Sequence, residues 1–237
     1  MEEKKELIYS FGIDHFYVIP FTRDFSRLDT TEFMKEYLVD RFHVDTLIIG
    51  YDHRLGRSST ASREELAALA ASVGLNTRIV EEVHCGDRKV SSTQIRNLLA
   101  AGDVRTAGGM LGYRYNLLGV VVLGNMLGRT MGFPTANMEL YEPLKIIPAN
   151  GVYLVEAEVL GRHRYGICNI GTRPTIGEGN ARTIETHIFD FGENIYGLDL
   201  RISFIDRIRD ERKFSSMEEL RAQLEKDRKV AEELLSL

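Results

Sequence analysis

The sequence contains few of the features that mark secreted, membrane or fibrous proteins. Its 237 residues include only two cysteines, Cys85 and Cys168, only five prolines and no CxxC pair. Its longest apolar runs, such as residues 117–123, are too short to span a bilayer, and the first residues carry no apolar signal core. These absences predict a cytoplasmic chain without a disulfide framework, in which both thiols are buried.

Charge and histidine spacing point away from macromolecular partners and from a zinc site. Lys plus Arg number 30 against 35 Asp plus Glu, and the formal net charge of −5 provides no overall attraction for nucleic acid or an anionic membrane. The six histidines never fall at HExxH spacing. With 43% apolar residues, the chain is expected to be globular, and its length allows two modest domains or one large one.

The first 112 residues alternate helix-like and strand-like segments. Strands separated by helices of about a dozen residues indicate βαβ units and a mostly parallel sheet. In such a sheet the ligand site lies at the carboxyl ends of the strands. The predicted strands cover 16–20, 46–50 and 76–83, one predicted helix follows a capping signal from Asp29 to Glu32, and another covers 62–73.

From residue 113 onward the pattern changes to short β segments and glycine turns. The segments alternate apolar and polar residues, as half-buried antiparallel strands do, and five or six of them suggest a small closed barrel. A final helix is predicted after a capping box formed by Ser215 and Glu218. We therefore expect an α/β domain over 1–112 and a β domain with a C-terminal helix over 113–237. The β segments are 117–124, 151–160, 164–170, 182–191 and 198–208.

Three glycines spaced four apart follow the first of these segments. Gly124, Gly128 and Gly132 would let backbone amides approach a polyphosphate closely, and Arg129 supplies a positive charge nearby. A barrel turn that requires positive φ angles is the alternative explanation for the glycines alone. No GxxxxGK[ST] sequence occurs, which excludes a P-loop.

The glycine loop runs into Pro134-Thr-Ala-Asn137. The hydroxyl of Thr135 and the amide carbonyl of Asn137 are two residues apart, so on an extended chain they project to the same side. Hard oxygen ligands of this kind suit Mg²⁺ that arrives with a nucleotide. These two residues are therefore the candidate metal ligands.

The segment from residue 113 to residue 237 resembles the flavokinase (riboflavin kinase) family, whose signature is a glycine loop that runs into Gly-Phe-Pro-Thr-Ala-Asn. The resemblance continues through Asn169-Ile-Gly171, Glu185-Thr-His187 and Arg209-Asp-Glu211. It implies a six-stranded flavokinase-type barrel that uses ATP and Mg²⁺ to convert riboflavin to FMN.

The same resemblance implies roles for individual residues. Glu185 matches the family's general base, which accepts the proton of the ribityl hydroxyl as that oxygen attacks the γ-phosphorus. Without the family, Glu185 would be interpreted as an ordinary exposed strand carboxylate, and the segment after Arg209 as a surface loop. The implied ATP site comprises Gly124, Gly128, Arg129, Gly132, Pro134, Thr135 and Asn137, with Mg²⁺ on Thr135 and Asn137, and the implied flavin loop carries Arg209, Glu211 and Phe214.

A second resemblance lies in the first half. Residues 90–96 look like the SSTxIR segment of nucleotidyltransferases, and residues 50–56 match the GxDxRxG turn of bacterial FAD synthetases. Ser91 and Gln94 form a capping box, and the helix that it opens can contact ATP phosphates through amides, hydroxyls and Arg96. The two halves together resemble the bifunctional bacterial riboflavin kinase/FMN adenylyltransferase family. The implied adenylyltransferase nucleotide site comprises Asp52, Arg54, Ser91, Ser92, Thr93 and Arg96.

The first half also departs from that family. The chain contains no HxGH motif, and residues 3–12 are predicted to form the helix that precedes the family's third strand. The adenylyltransferase half is therefore expected to be truncated, with unpaired strand edges, and FAD synthesis is not expected from this chain alone. A flavin-binding module without turnover is the alternative function.

Overall fold

The computed structural model describes residues 2–51, 62–124, 128, 132–174 and 180–236. The chain forms two compact units, Met1–Glu82 and Val83–Leu237. The helices that precede residue 112 contribute buried side chains to the core of the second unit. The structural division therefore comes earlier in the chain than the predicted domain boundary at residue 112, which stays a prediction.

The first unit is a small α/β structure. Strands β1 and β2 are parallel, with Ile48 opposite Arg78, which confirms the predicted parallel arrangement. Asp29 caps α2 through a capping box with Glu32, as predicted, and α2 continues directly into a π-helix over Met34–Arg41. The elements are α1 (Glu2–Ser10), α2 (Thr30–Phe33), β1 (Thr46–Gly50), α3 (Arg63–Ser72) and β2 (Asn76–Val80), and the buried core comprises Met34, Ile49, Leu66, Ala70 and Leu75.

The strand predicted over residues 16–20 is wrong, because this segment is irregular. Within the described part of the chain β1 and β2 pair only with each other, so residues 16–20 have no ladder to join. Tyr17 is 62% exposed and packs its ring on Phe42 at 4.5 Å between centroids. Tyr17 thus makes an aromatic contact near the surface, and the segment around it forms no strand. The strand predicted over 76–83 ends earlier, at Val80.

The second unit is built around a closed barrel of six antiparallel strands. The strands are β5 (Asn116–Val122), β6 (Ala136–Leu140), β7 (Gly151–Val159), β8 (Arg162–Pro174), β9 (Asn180–Ile188) and β10 (Asp199–Arg209). Their order is β10-β5-β6-β9-β8-β7, and β10 also bonds to β7 and closes the cylinder. Alternate residues of β5, such as Leu117 and Val121, enter the core, whereas the first five residues of β7 are all buried. The predicted fold is confirmed here.

Helices α4 (Ser92–Ala101) and α5 (Val104–Leu111) pack on the barrel and share its core through Leu99, Val104 and Ala107. The amide of Ala149 donates to the carbonyl of Leu99 at 3.0 Å. Gly102 joins the helices with φ +81°, and a Cβ there would lie 2.8 Å from the hydroxyl oxygen of Tyr153. Only glycine satisfies both the left-handed backbone and this close approach.

The two thiols differ in environment. Cys168 of β8 is fully buried, as predicted, whereas Cys85 is exposed, so the prediction of two buried thiols is wrong for Cys85. Cys85 belongs to a short hairpin of β3 (His84–Cys85) and β4 (Arg88–Lys89). Because each strand has only two residues, the hairpin does not bury the Cys85 side chain.

Helix α6 (Met217–Leu235) packs across the outside of the barrel. Its N-cap is Ser216, whose side chain accepts from the amide of Glu219, one residue later than the predicted box of Ser215 and Glu218. Asp227 and Ala231 are the buried residues of α6. None of the helices in the described ranges has both the length and the apolar character needed to cross a membrane.

An ion pair fastens α6 to the end of β10. Asp227 is 1% exposed and accepts from the Arg209 guanidinium at 2.8, 2.9 and 3.1 Å. The side-chain amide of Gln223 donates to the same carboxylate at 2.8 Å. This fork geometry satisfies a charge that would otherwise be buried at high cost.

Replacement of Asp227 tests this fastening. Because Asp227→Ala leaves the Arg209 charge without its partner, we expect the free energy of unfolding to fall by about 3–5 kcal/mol in denaturant titration. Glu232→Ala, which removes an exposed partner of Arg228 on the same helix, is the matched control and should cost less than about 1 kcal/mol. Equal losses of unfolding free energy in the two variants would show that the buried ion pair stabilises the fold no more than the exposed pair does.

Candidate active site

A row of three polar residues crosses the outer face of the barrel. In the strand register Glu185 of β9 lies opposite Asn137 of β6 and opposite Asn169 of β8. The neighbours of Glu185 along the strand, Ile184 and Thr186, are buried. Because side chains alternate along a strand, the three polar residues share the opposite face, where Glu185 is half-buried. A carboxylate thus stands between two neutral amides.

Two glycines of the loop, Gly124 and Gly128, pack directly against the predicted metal ligands. A Cβ on Gly124 would overlap the side-chain amide of Asn137, and one on Gly128 would overlap the carbonyl of Phe133 and lie 3.6 Å from a methyl carbon of Thr135. The amide of Phe133 donates to the carbonyl of Gly128 at 2.9 Å. Glycine is required at both positions because the chain passes so close to these side chains.

Gly132 and Pro134 complete the described part of the predicted ATP site. Gly132 has φ +81°, so the turn into β6 also depends on the backbone freedom of glycine. Pro134 and Thr135 immediately precede β6, and both line the cavity described below. Arg129 lies outside the described residues.

His187 connects β9 to this turn. Its ring nitrogen Nδ1 lies 2.9 Å from the carbonyl oxygen of Pro134, and its ring packs edge-to-face against Phe133 and Phe189. Burial lowers the pKa of His187 below its ordinary value. The neutral imidazole is therefore favoured, and its Nδ1–H donates to the carbonyl, which can only accept.

A cavity of about 310 Å³ opens beside Thr135. Its size suits a small-molecule ligand group. Its walls combine inward-facing barrel residues with the segment that follows β9. The lining residues are Val121, Pro134, Thr135, Ala136, Thr186, Ile188, Phe191, Gly192, Glu193, Asn194, Ile195 and Tyr196.

Cys168 lies behind the polar row, opposite Thr186 in the barrel. Burial raises the pKa of its thiol to about 12, and the negative charge of Glu185 adds to the shift. The thiol therefore stays protonated at neutral pH and is a packing residue rather than a nucleophile. Glu185 is the ionisable carboxylate of the polar row.

The residues predicted to form a flavin loop lie after β10. The carboxylate of Glu211 is stacked on Gly171, where a Cβ would overlap it, and it accepts from the side chain of Asn150 at 3.0 Å. Gly171 is two residues from Asn169 on β8, so Glu211 reaches the face that carries the polar row. Asn150 in turn accepts from Arg182.

The other two predicted flavin-loop residues are engaged with protein groups. The Arg209 guanidinium binds Asp227 and also lies 5.7 Å from the ring centroid of Phe214, and Arg212 lies 4.7 Å from the same centroid. Both cations are within the range of a cation–π interaction with the aromatic ring. Arg209 is therefore placed to hold Phe214 rather than to reach out into solvent.

The predicted adenylyltransferase residues that the structure describes gather at the start of α4. Ser91 is the N-cap and accepts from the amide of Gln94 at 3.3 Å, half of the predicted capping box. Ser92, Thr93 and Arg96 lie in the first turn and a half of α4. The other two predicted residues of this site, Asp52 and Arg54, lie outside the described residues.

Three residues of the site were not assigned a role from the sequence: Asn169, Gly171 and His187. Each falls inside a motif that carried the family resemblance. A signal was therefore present, but the role of these residues depends on which strand neighbours which, and a single sequence does not contain that information.

Comparisons with known proteins agree with this geometry. The riboflavin kinase family model matches residues 111–235, and the FAD synthetase family model matches residues 1–94. A bifunctional riboflavin kinase/FMN adenylyltransferase of Bacillus subtilis is 37% identical over 98% of this chain and 73% of its own length. One from Listeria monocytogenes is 37% identical over 96% of this chain and 71% of its own length.

A solved structure shares the fold over nearly the whole chain. It is a crystal structure from Streptococcus pneumoniae, described as that of a macrolide-efflux protein. Its TM-score is 0.88 at 31% identity, over 98% of this chain and 74% of that chain.

The closed barrel with its glycine loop, together with the parallel α/β unit, defines a flavokinase-type domain that follows a nucleotidyltransferase-type region. The chain belongs to the bifunctional riboflavin kinase/FMN adenylyltransferase family. It carries the riboflavin kinase domain, and its match to the FAD synthetase model is confined to residues 1–94.

Proposed function

We propose that the second unit transfers the γ-phosphoryl group of ATP to the ribityl 5′-hydroxyl of riboflavin and releases FMN and ADP. The observation that carries this proposal is the polar row, in which Glu185 lies next to Asn137 at the edge of the glycine loop. The glycine loop would bind the phosphates of ATP, and the Glu185 carboxylate would accept a proton. Small-molecule substrates and a cytoplasmic location agree with this function and stay predictions.

Glu185 is the proposed general base. Its carboxylate accepts the proton of the ribityl hydroxyl while that oxygen forms a bond to the γ-phosphorus and the bond from phosphorus to the ADP oxygen breaks. The flanking residues Asn137 and Asn169 are uncharged, so neither would neutralise the carboxylate. Half-burial holds the side chain in place and leaves it open to a substrate hydroxyl.

The cavity beside Thr135 is the proposed site for the rest of ATP. Its inner walls are apolar at Val121, Ile188 and Ile195, which suits a planar base. Thr135 lies both on the cavity wall and next to Gly128, so it connects the cavity to the glycine loop. A nucleotide that fills the cavity would therefore bring its phosphates to the polar row.

Thr135 and Asn137 fit Mg²⁺. A hydroxyl and an amide supply hard oxygen donors, and the missing side chains at Gly124 and Gly128 leave the backbone close to both residues. Mg²⁺ bound with ATP would neutralise charge on the phosphate oxygens. The protein residues themselves position the phosphate chain opposite Glu185.

The loop after β10 is the proposed flavin contact. Glu211 lies over Gly171, on the face that carries Glu185, and Phe214 offers an aromatic ring in contact with two guanidinium groups. A flavin ring that contacts Phe214 would direct its ribityl chain toward the polar row. In this arrangement Arg209 acts indirectly, through Phe214.

Replacement of the base tests the proposed kinase. Glu185→Gln retains size and hydrogen bonding but removes the proton acceptor, so FMN formation should fall at least about a hundredfold while riboflavin binding is preserved. Glu158→Gln, a matched change on β7 of the same barrel, should leave turnover unchanged. FMN and ADP are measured by chromatography, and riboflavin binding by quenching of its fluorescence.

Two outcomes would contradict this assignment. Near-normal turnover in Glu185→Gln would show that another group accepts the proton. Tight riboflavin binding by the unmodified protein without any ADP release would favour the alternative function, a flavin-binding module without catalysis.

Replacement of the proposed metal ligands tests the nucleotide site. Thr135→Ala and Asn137→Ala each remove one oxygen donor to a charged group, so the Mg²⁺ concentration for half-maximal FMN formation should rise about tenfold or more. Asn116→Ala, on β5 away from the loop, is the control and should not change it. An unchanged Mg²⁺ dependence in both ligand variants would remove these residues from the site.

Adenylyl transfer from ATP to FMN is the second candidate function. The match of residues 1–94 to the FAD synthetase model favours it, and so does the first turn and a half of α4, where Ser92, Thr93 and Arg96 supply donors for a phosphate. The HxGH motif, implied by family resemblance to stabilise the transferred phosphate, does not occur in this sequence. We therefore expect the kinase activity without FAD synthesis.

Incubation with ATP and FMN separates the two activities. We expect neither FAD nor pyrophosphate to form, at enzyme concentrations where riboflavin is converted to FMN. The control is the same incubation with riboflavin in place of FMN. Accumulation of FAD and pyrophosphate in equal amounts would show that adenylyl transfer does not need the HxGH motif.

A further inference from the structure

We infer that His187 is a positioning residue of the phosphoryl-transfer site, and that its ring holds the peptide between Pro134 and Thr135 in register with Glu185. This inference rests on the proposed kinase function, because it concerns the placement of the proposed metal ligands relative to the proposed base. It assigns His187 no contact with substrate and no proton transfer.

The backbone pairing of β6 and β9 ends just before the point where His187 acts. The last paired residues are Asn137 with Glu185 and Ala136 with Thr186, so the next step would place Thr135 opposite His187. Proline has no N–H, so Pro134 cannot donate to a ladder. The side chain of His187 reaches the Pro134 carbonyl at 2.9 Å and extends the connection between the strands beyond the last backbone pair.

The imidazole is itself firmly held. His187 is 9% exposed, and its ring centroid lies 5.1 Å from that of Phe133 and 5.9 Å from that of Phe189. Arg228 of α6 covers Phe189 at 5.1 Å and pairs with Asp190. A buried ring that packs against two aromatic neighbours has little freedom to turn, so its Nδ1–H stays directed at the Pro134 carbonyl.

The position of this hydrogen bond gives it a functional consequence. Glu185 and His187 are two residues apart on one strand and therefore share a face. Thr135 directly follows the carbonyl that His187 holds, and Asn137 is two residues further along β6. His187 thus sets the separation between the proposed base on β9 and the proposed metal ligands on β6, and misplacement of such groups impairs transfer even when all of them are present.

The test compares two replacements of His187, one with a hydrogen-bond donor and one without. In His187→Asn the side-chain amide retains an N–H donor near the position of Nδ1, whereas in His187→Leu the side chain is of similar volume and has no donor. We expect His187→Leu to raise the KM for ATP and the half-saturating Mg²⁺ concentration about five- to tenfold, the factor that one hydrogen bond supplies. The KM for riboflavin should stay unchanged, and His187→Asn should restore most of the loss.

Three results would overturn the inference. One is equal kinetic impairment in both variants with a matching fall in thermal stability, which would indicate packing alone. Another is normal kinetics in His187→Leu. The third is a rise in the KM for riboflavin equal to that for ATP.

A binding measurement separates this inference from the proposed function. Calorimetric titration of a non-hydrolysable ATP analogue with Mg²⁺ reports on the nucleotide site without any turnover. Weaker binding in His187→Leu than in His187→Asn supports the inference even if the unmodified protein forms no FMN, an outcome that would refute only the kinase proposal. Equal affinity in the two variants would refute the positioning role.

Discussion

Closure of the barrel is the constraint on which the site depends. Once β10 bonds to both β5 and β7, every strand has two neighbours and no register can slip by one residue without moving its core residues outward. Ile184 and Thr186 are held inside by this packing, and Glu185 is consequently held outside between Asn137 and Asn169. Packing of the hydrophobic core thus determines where the polar row lies on the barrel. The glycine loop then needs only to pass close to one end of this row.

The sequence predicts the barrel well because alternation of apolar and polar residues is a local signal, and each predicted β segment overlaps a strand of the barrel. It predicts Thr135, Asn137 and Glu185 through motif resemblance. Partners distant in the chain are not predictable in this way. The buried face of α6 includes Asp227, whose burial is favourable only because Arg209 lies opposite, and periodicity of apolar residues cannot reveal such a pair. The strand predicted at 16–20 failed for the related reason that a strand also needs a neighbour to pair with.

The boundary between the two family models and the boundary between the two compact units fall at different places in the chain. The two family models meet between residues 94 and 111, whereas the second compact unit begins at Val83. The difference arises because α4 and α5 place Leu99, Val104 and Ala107 in the core of the barrel. The start of α4 carries the predicted adenylyltransferase residues, while its end bonds to Ala149. The FAD synthetase model thus reaches the first residues of α4, while the rest of the helix packs into the barrel core.

Gly102 shows how closely α4 packs against the barrel. The residue closes α4 with a left-handed backbone, and it also leaves space for the Tyr153 hydroxyl and Arg207 of the barrel. A chimera that replaced the chain before residue 112 would therefore lose the buried contacts that Leu99, Val104 and Ala107 make with the barrel core. The compact unit that begins at Val83 includes the barrel together with α4, α5 and the C-terminal helix.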